Sequence, residues 1–154
     1  MAKAKGEKMI ADNRRARHDY HLGDRVEAGV VLTGTEVKAL REGNTSLQRA
    51  YADVAENEAW LVGMHIPEYL QGNRANHDPD RPRKLLLHRR EIDRLYGQVR
   101  EKGVTLVPTR MYFKDGRVKV EIAVARGKEL HDKRRDIAAR DAQRQIEREL
   151  GRRR

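Results

Sequence analysis

The sequence predicts a mainly β fold with short helices, in the α+β class, followed by a helical C-terminal tail. Three observations predict it: several short segments alternate apolar and polar residues, two of them flank a Lys-Asp-Gly turn, and the C-terminal segment contains no proline. The chain has 154 residues, of which 38% are hydrophobic, which suffices for one core but not for two. We therefore expect a basic arm over 1–12, one folded domain over 13–125 and a basic tail over 126–154.

The first predicted strand leads directly into a helix. Apolar residues recur at every second position over 26–32, which indicates a half-buried strand with Glu27 on the face opposite Val26. The following residues, TGTE, are typical of a capping box, and Gly43 stands where the helix should end. The strand and the helix are therefore expected to be neighbours in the fold.

The middle of the chain predicts a pair of strands and then a loop. A turn around Glu56 and Asn57 separates two apolar segments, 50–54 and 60–66, which we expect to pair antiparallel. The stretch 71–82 is rich in Gly, Asn, Asp, Pro and Arg and has almost no apolar residues, so it predicts a long exposed loop.

The second half of the chain predicts one more helix and a hairpin. A brief apolar strand at 85–87 precedes a helix whose apolar residues recur at helical spacing over 92–99. Two strands, 105–113 and 117–125, flank the Lys-Asp-Gly turn, and Pro108 suggests an edge or a bulge. Because the strands are short and one helix interrupts them, we expect a small antiparallel OB-like β-barrel rather than a sandwich.

The charge of the chain is strongly positive and clustered. There are 34 Lys plus Arg against 24 Asp plus Glu, a net charge of +10, and the excess lies in 1–17, 81–102 and 126–154. Three basic blocks around one core favour a nucleic-acid-binding surface over a merely solvated one or an anionic membrane partner. Because the sequence has no cysteine, no apolar run of membrane length and no signal peptide, we expect a cytoplasmic protein.

The tail after Gly127 predicts a helix with two different faces. One side presents apolar residues at every fourth position: Ala138, Ala142, Ile146 and Leu150. The nearly opposite side presents arginines: Arg140, Arg144, Arg148 and Arg152. The apolar stripe is thin, so we expect a tail that is flexible when free and helical once an RNA surface neutralises its arginines. The alternative is an ordinary amphipathic helix packed on the barrel.

The residue types that catalysis requires are sparse or scattered. Serine occurs once, at Ser46, and the chain contains neither a P-loop nor a GxSxG motif. We therefore nominate no catalytic residue, metal site or cofactor, although an RNA-modifying or RNA-cleaving activity built from scattered His and Asp remains an alternative. The histidines lack HExxH-type spacing: His18, His21, His65, His77, His88 and His131.

Six motifs follow one another along the chain: NRRARHDY at 13–20, EAGVVLTGTEVKALREG at 27–43, HIPEY with GN and NHDP at 65–79, RKLLLH at 83–88, KGVTLVP at 102–108 and GKELHDKR at 127–134. Together they closely resemble the small protein B family, the transfer-messenger RNA-binding proteins of bacteria. The resemblance extends from about Asn13 to the end of the tail, and six motifs in one order make it highly specific.

The resemblance implies an OB-like barrel that binds the tRNA-like domain of transfer-messenger RNA and brings it to stalled ribosomes for trans-translation. It implies no catalytic step. The expected partners are this RNA, the ribosome and, through the RNA complex, elongation factor Tu, with the protein a monomer that binds no membrane. The implied RNA-binding residues are Arg14, Arg15, Arg17, His18, Glu27, Arg83, Lys84, Leu86 and His88.

The resemblance also implies that the tail enters the decoding region of the small subunit and the empty message channel. The implied tail positions are Gly127, Lys128, His131, Asp132, Lys133, Arg134, Arg135, Arg140 and Arg144. Removing the residues after Ala125 is then expected to leave RNA binding largely intact and to abolish rescue. The alternative is a structural RNA-binding protein that resides permanently on the ribosome and copurifies with all ribosomes.

Overall fold

The computed structural model describes residues 7–55, 57–71, 76–128 and 130–152, and this part of the chain contains seven strands and four helices. In chain order they are β1 (Glu7–Asp12), α1 (Arg14–Asp19), β2 (Tyr20–Val30), α2 (Gly34–Arg41), β3 (Tyr51–Val54), β4 (Ala59–Val62), β5 (Arg83–Leu86), α3 (Arg89–Val99), β6 (Val104–Lys114), β7 (Arg117–Gly127) and α4 (Leu130–Arg152). The predicted α+β class and C-terminal helix are confirmed.

Six of the strands close into an antiparallel ring. In the order β6–β3–β4–β5–β2–β7 each strand pairs with the next, and β7 pairs back with β6. The remaining strand, β1, pairs with 110–114 of β6, whereas β3 meets β6 at Leu106. One long strand therefore contacts three others, and the sheet closes on itself through the pairing of β6 with β7.

The predicted hairpin is present and uses the predicted turn. At the turn Asp115 has φ +51° and Gly116 has φ +78°, so both central residues are in the left-handed region, as a type I′ turn requires. The pairing of β6 with β7 shifts register between Pro108 and Arg110, which confirms the expected bulge. The turn residue Gly116 thus sets the register of the longest strand pair in the ring.

The core fills the inside of the ring. Leu61, Leu106 and Ile122 on the inward faces of the strands are almost completely buried, and Leu40 of α2 and Leu95 of α3 pack with them. The apolar faces of both short helices are therefore used inside the fold. Outside this core, Ala16 of α1 packs with Val107 and Ala125 of the strands in a second, smaller apolar cluster.

Two charged residues are buried together beside α2. The Arg83 Nε donates to the Glu36 Oε2 at 2.6 Å, and neither side chain is exposed to solvent. Arg83 also donates to the carbonyls of Met64 (2.6 Å) and Pro79 (3.0 Å), while Arg81 pairs with the other oxygen of Glu36. Burial raises the pKa of Glu36, but hydrogen bonds from Arg81, the backbone and Arg83 outweigh it and hold the pKa below its ordinary value.

The predicted loop after β4 is anchored in the part that the structure describes. His77 is buried, with its Nδ1 2.9 Å from the Thr35 hydroxyl and its Nε2 2.8 Å from the Ile66 carbonyl oxygen. The expectation of an exposed stretch is therefore corrected for this residue, because its two ring nitrogens find partners inside the fold. The loop residues 72–75 and the predicted turn residue Glu56 lie outside the described residues.

The capping box of α2 was predicted from the sequence, whereas two N-terminal elements were not. The Thr33 side chain accepts from the Glu36 backbone N–H, and the Glu36 side chain accepts from the Thr33 N–H at 2.9 Å, as predicted. Two elements were not predicted. Residues 7–12 of the expected basic arm form β1, and the basic segment 14–19 forms α1.

Helix α4 does not bury its apolar stripe. Every side chain that the structure describes from Ile137 to Gly151 is exposed, and Ile137, Ile146 and Leu150 are 44%, 54% and 58% exposed. The alternative of a packed amphipathic helix therefore does not describe this arrangement. Among the described helices, none has the length and apolar character that a membrane span requires.

Candidate nucleic-acid interface

An open groove of about 750 Å³ on the outer face of the ring is bordered by β2, β5, β7 and the start of α3. Four of the sequence-predicted residues line it together: Glu27, Lys84, Leu86 and His88. They come from two segments of the chain that are more than fifty residues apart. The ring therefore assembles these positions into one surface.

Strand pairing explains why these side chains meet. Gly29 of β2 lies opposite Leu86 of β5 in an antiparallel register, so Glu27 and His88, each two residues further along, approach the same region. Lys84, Leu86 and His88 also alternate along their segment, which places them on one face. His88 is the N-cap residue of α3, and its backbone N–H donates to the Glu91 carboxylate at 3.0 Å.

Leu86 projects from this surface without apolar cover, because its side chain is 55% exposed. The opposite residue, Gly29, makes room for it, since a Cβ at that position would lie 3.3 Å from the Leu86 Cβ. The adjacent Leu85 is buried in the core. An exposed leucine in a charged groove offers an apolar contact to a nucleobase or a ribose.

Charge in the groove is mixed. The Lys84 ammonium lies 3.7 Å from the Glu58 carboxylate, and both side chains are about half exposed. The Glu27 carboxylate accepts a hydrogen bond from the Tyr112 hydroxyl, and this bond, with help from Lys114 and Lys119, holds the pKa of Glu27 below its ordinary value. The groove thus presents three cations that suit phosphates, Arg25, Lys84 and Lys119, together with three carboxylates, Glu27, Glu58 and Glu91.

A second group of predicted residues lies on α1, at the other end of β2 from the groove. The side chains of Arg14, Arg15, Arg17 and His18 are 90%, 64%, 53% and 42% exposed. Arg15 and His18 contact Asp19, while Arg14 and Arg17 contact Asp12. Because seven residues of β2 separate α1 from Glu27, the two groups are on the order of 20 Å apart.

Asn13 fixes α1 on the ring. Its Nδ2 donates to the carbonyls of Pro108 at 2.8 Å and Leu47 at 3.2 Å, and its Oδ1 accepts from the Ala16 N–H at 3.2 Å. The side chain is buried, so these bonds satisfy it and cap the helix at once. The exposed arginines of α1 are therefore presented from a rigid base.

The start of the tail is tied to α1. Gly127 pairs with Tyr20 at the end of β7, the Lys128 N–H donates to the Asp19 carbonyl at 3.1 Å, and the Lys128 Nζ donates to the Arg17 carbonyl at 3.1 Å. The predicted residues Gly127 and Lys128 thus join the α1 group, not the groove. The tail therefore leaves the ring beside α1, which carries the exposed side chains of Arg14, Arg15 and Arg17.

Further along the tail, the described arginines point to solvent. Arg134, Arg140 and Arg144 are exposed, and Arg144 lies 3.9 Å from Asp141 on the same helix. The backbone of the remaining predicted positions belongs to α4, but their side chains lie outside the described residues: His131, Asp132, Lys133 and Arg135.

Arg83 is corrected by the structure. The motif that contains it predicts RNA contact, yet its side chain is 0% exposed and bonded to Glu36, Met64 and Pro79. A guanidinium with no exposed surface cannot reach a phosphate. Arg83 instead fixes the start of β5, the strand whose next residue, Lys84, lines the groove.

Sequence reasoning missed Tyr112, Lys119 and Asn13 as contributors to these surfaces. Tyr112 and Lys119 face each other across the predicted hairpin, so the hairpin register was a usable signal. Asn13 had a weaker signal, because an Asn before a basic segment is a possible helix cap. Within the described residues, no group of three or more His, Asp or Glu side chains is arranged to hold a metal ion.

Comparison with known proteins places this chain among close relatives. The family model for "SmpB protein" matches residues 10–152. The SsrA-binding protein of Acidothermus cellulolyticus is 59% identical over 99% of this chain and 96% of its own length, and that of Nocardia farcinica is 61% identical over 98% and 94%. A solved structure described as "tmRNA-SmpB: a journey to the center of the bacterial ribosome" is 48% identical, with a TM-score of 0.66, over 77% of this chain and 84% of that one.

Proposed function

Since this chain belongs to the SmpB protein family, we propose that it is an SsrA-binding protein that binds transfer-messenger RNA and acts with it on the ribosome in trans-translation. The proteins of this family bind RNA and are not enzymes. The observation that carries the proposal is the groove, where a half-exposed leucine, a histidine, a lysine and an ionised glutamate from two distant segments share one face.

The groove suits a folded RNA better than a regular duplex. An A-form RNA duplex closes its major groove to side chains and is recognised mostly by its shape, its phosphates and its 2′-hydroxyls, whereas the loops of a folded RNA expose bases for apolar contact and hydrogen bonds. Leu86 offers the apolar contact, His88 and Glu27 offer polar ones, and Lys84 and Lys119 attract phosphates. The tRNA-like domain of transfer-messenger RNA is the folded element that we assign to this surface.

The fold fits the same assignment. We interpret the six-stranded ring as an OB-like barrel, because it is small, antiparallel and closed by the pairing of its long β6 and β7. In OB folds nucleic acid binds to the outer face of the sheet and the adjoining loops. The groove lies on the outer face, which agrees with that mode of binding.

Barrel and tail divide the work in this proposal. The groove holds the RNA, while α4, with its exposed arginines, enters the decoding region and the empty message channel of the small subunit. A message still in the channel excludes the helix by volume and by charge. The protein then acts as a cytoplasmic monomer, and elongation factor Tu joins it through the RNA.

The groove is tested by two exposed leucines. Leu86→Ala should weaken binding to a transcript of the tRNA-like domain by roughly tenfold, because the variant buries less apolar surface against the RNA. The matched control is Leu70→Ala, since Leu70 is 87% exposed and does not line the groove. Equal affinities for the two variants in a filter-binding assay would place the RNA elsewhere.

Trp60 gives an independent reading of groove occupancy. It is the single tryptophan of the chain, and its Nε1 donates at 3.3 Å to Glu58, which lines the groove. RNA seated there should change the tryptophan emission with the same midpoint as filter binding. An emission spectrum that stays constant at saturation counts against the groove.

The division of work is tested by a truncation placed after Lys128. A cut after Ala125 removes the last pairs of β7 and the bonds of Lys128 to α1, so the later cut preserves the barrel. The truncated protein should bind the RNA with unchanged affinity and fail to support tagging in a reconstituted translation system. Loss of both activities together contradicts the division.

A further inference from the structure

Leu70 lies in the connection between β4 and β5, the β4–β5 loop (63–82), away from the groove and from α1. Its side chain is 87% exposed, whereas no other exposed large apolar residue in the described part of the chain exceeds 58%. A single exposed leucine is common on protein surfaces and by itself indicates no function. Leu70 is distinguished by the way the loop holds it and by the charge of the residues around it.

Hydrogen bonds close the β4–β5 loop on both sides of Leu70. The Tyr69 N–H donates to the Asn76 Oδ1 at 2.8 Å, and the Asn76 Nδ2 donates to the Tyr69 carbonyl at 2.7 Å. Nearer the base of the loop, the Ile66 N–H donates to the Pro79 carbonyl at 3.0 Å. The backbone next to Leu70 is therefore fixed by side-chain and backbone bonds that cross the loop.

Helix α2 supports the same loop. The Lys38 ammonium lies 5.6 Å from the centre of the Tyr69 ring, and the Thr35 hydroxyl lies 2.9 Å from the Nδ1 of the buried His77. Leu70 is thus presented to solvent from a segment that is attached to the fold. Because the loop is already ordered, a partner that binds Leu70 does not have to meet the entropic cost of ordering it.

The β4–β5 loop and the groove adjoin opposite ends of the β4–β5 strand pair. Ala59 pairs with Leu85, and beyond this pair the chain reaches residues that line the groove. Leu61 pairs with Arg83, and beyond that pair the loop begins. None of the described loop residues lines the groove. RNA seated in the groove is therefore not expected to cover Leu70.

The charge of the β4–β5 loop is opposite to that of the whole protein. The net charge of the chain is +10, yet the sequence over 65–80 contains three acidic residues, Glu68, Asp78 and Asp80, and one arginine, Arg74, which lies outside the described residues. All three acidic residues are exposed, and the Asp80 side chain, beside His65, is 75% exposed. Such a surface repels phosphates and attracts a basic partner.

We propose that the β4–β5 loop docks on a basic protein of the ribosome, with Leu70 in an apolar pocket and Glu68 facing cations at the rim of that pocket. This inference rests on the proposed function, which brings the chain to the ribosome. A ribosome offers RNA phosphates and proteins, and proteins that bind RNA carry basic surfaces. The acidic loop suits these proteins and not the RNA. An apolar centre with a charged rim is also the usual composition of a protein–protein interface.

Photo-crosslinking identifies the class of partner. The full chain with Leu70→p-benzoylphenylalanine, loaded with transfer-messenger RNA, is irradiated on ribosomes stalled at the end of a message. The product should keep its size after ribonuclease treatment and contain peptides of a basic ribosomal protein. The same photoreactive residue at Leu86 should instead crosslink to transfer-messenger RNA, because Leu86 lines the groove.

The two probes separate the inference from the proposed function. A ribonuclease-sensitive product at position 70 means that the loop faces RNA and overturns the inference. The absence of any product at position 70, while the probe at position 86 captures RNA, overturns it as well. If the probe at position 86 captures no RNA, the proposed function is contradicted instead.

The affinity for ribosomes tests the apolar anchor. Leu70→Ala should weaken binding of the loaded protein to stalled ribosomes by roughly tenfold, because less apolar surface is buried, and should leave binding to the tRNA-like domain transcript unchanged. Met9→Ala is the matched control, since Met9 lies on β1 and is 40% exposed, and it should change neither affinity. Wild-type affinity of Leu70→Ala for ribosomes overturns the inference.

The sign of a charge effect distinguishes a basic protein from RNA. Glu68→Gln should slow the association of the loaded protein with stalled ribosomes by roughly threefold at low ionic strength, because a charge at the rim of an interface steers an oppositely charged partner. The effect should fade as salt is added. Stopped-flow measurements with labelled ribosomes give the rate. An unchanged or faster association means that Glu68 does not face cations, and it overturns the inference.

Discussion

Two regions of the molecule use arginine in opposite ways. At the start of β5, Arg83 has no exposed surface and is bonded to Glu36 and two backbone carbonyls. Along α4, Arg140 and Arg144 are exposed, and the described partner of Arg144 is a neighbour on its own helix. The same residue type thus stabilises the fold in one region and is exposed on a helix outside the core in the other, and burial distinguishes the two.

The largest effect on stability is expected from a change at Glu36, the partner of the buried Arg83. Glu36→Gln removes the negative charge between Arg81 and the buried Arg83 and should lower the free energy of unfolding by about 3–5 kcal/mol, the cost of leaving a buried charge unpaired. Chemical denaturation of the purified proteins measures it.

The control for this change is Glu58→Gln. Glu58 and Lys84 form an ion pair with both side chains about half exposed, so its removal should cost at most about 1 kcal/mol. Similar destabilisation of the two variants would mean that burial does not distinguish these glutamates.

Two adjacent leucines of β5 allow the same comparison between a buried and an exposed side chain. Leu85→Ala should destabilise the fold by about 2–4 kcal/mol, because Leu85 is 2% exposed and its removal leaves a cavity. Leu86→Ala should change stability by at most about 0.5 kcal/mol, because Leu86 is 55% exposed. Thermal unfolding resolves the two, and a large drop in stability of the second variant would show that Leu86 serves the fold.

The contribution of Glu36 to stability should also depend on pH. The pKa of Glu36 is lowered in the folded state, so folded protein binds fewer protons there than unfolded protein and the contribution to stability is present above the ordinary value of 4.5. It is lost as the pH falls through the folded-state pKa. The stability gap between wild type and Glu36→Gln should therefore shrink as the pH is lowered from 4.5, as denaturation curves at several pH values would reveal. A gap that widens on acidification contradicts the sign.

Local patterns predicted the elements better than they predicted the site. The hairpin, the capping box at Thr33 and the tail helix depend on residues within a few positions of one another, so the sequence contained their signals. Arg83 was wrongly assigned to the surface because its partner Glu36 is 47 positions away and no local pattern links them. The approach of Glu27 to His88 likewise depends on the pairing of β2 with β5.

The smallest effect on stability is expected in the tail. The double variant Arg140→Ser and Arg144→Ser should change the free energy of unfolding by at most about 0.5 kcal/mol, because both side chains are exposed on a helix outside the core. Association with ribosomes that lack a message should nevertheless become less salt-dependent, by roughly 0.7–0.9 in log-log slope for each phosphate that the tail no longer neutralises. Arg49→Ser, at an exposed arginine between α2 and β3, is the control and should leave that slope unchanged. If the tail variant keeps the wild-type slope, Arg140 and Arg144 do not contact ribosomal phosphates. Their exposure would then not indicate a role in binding.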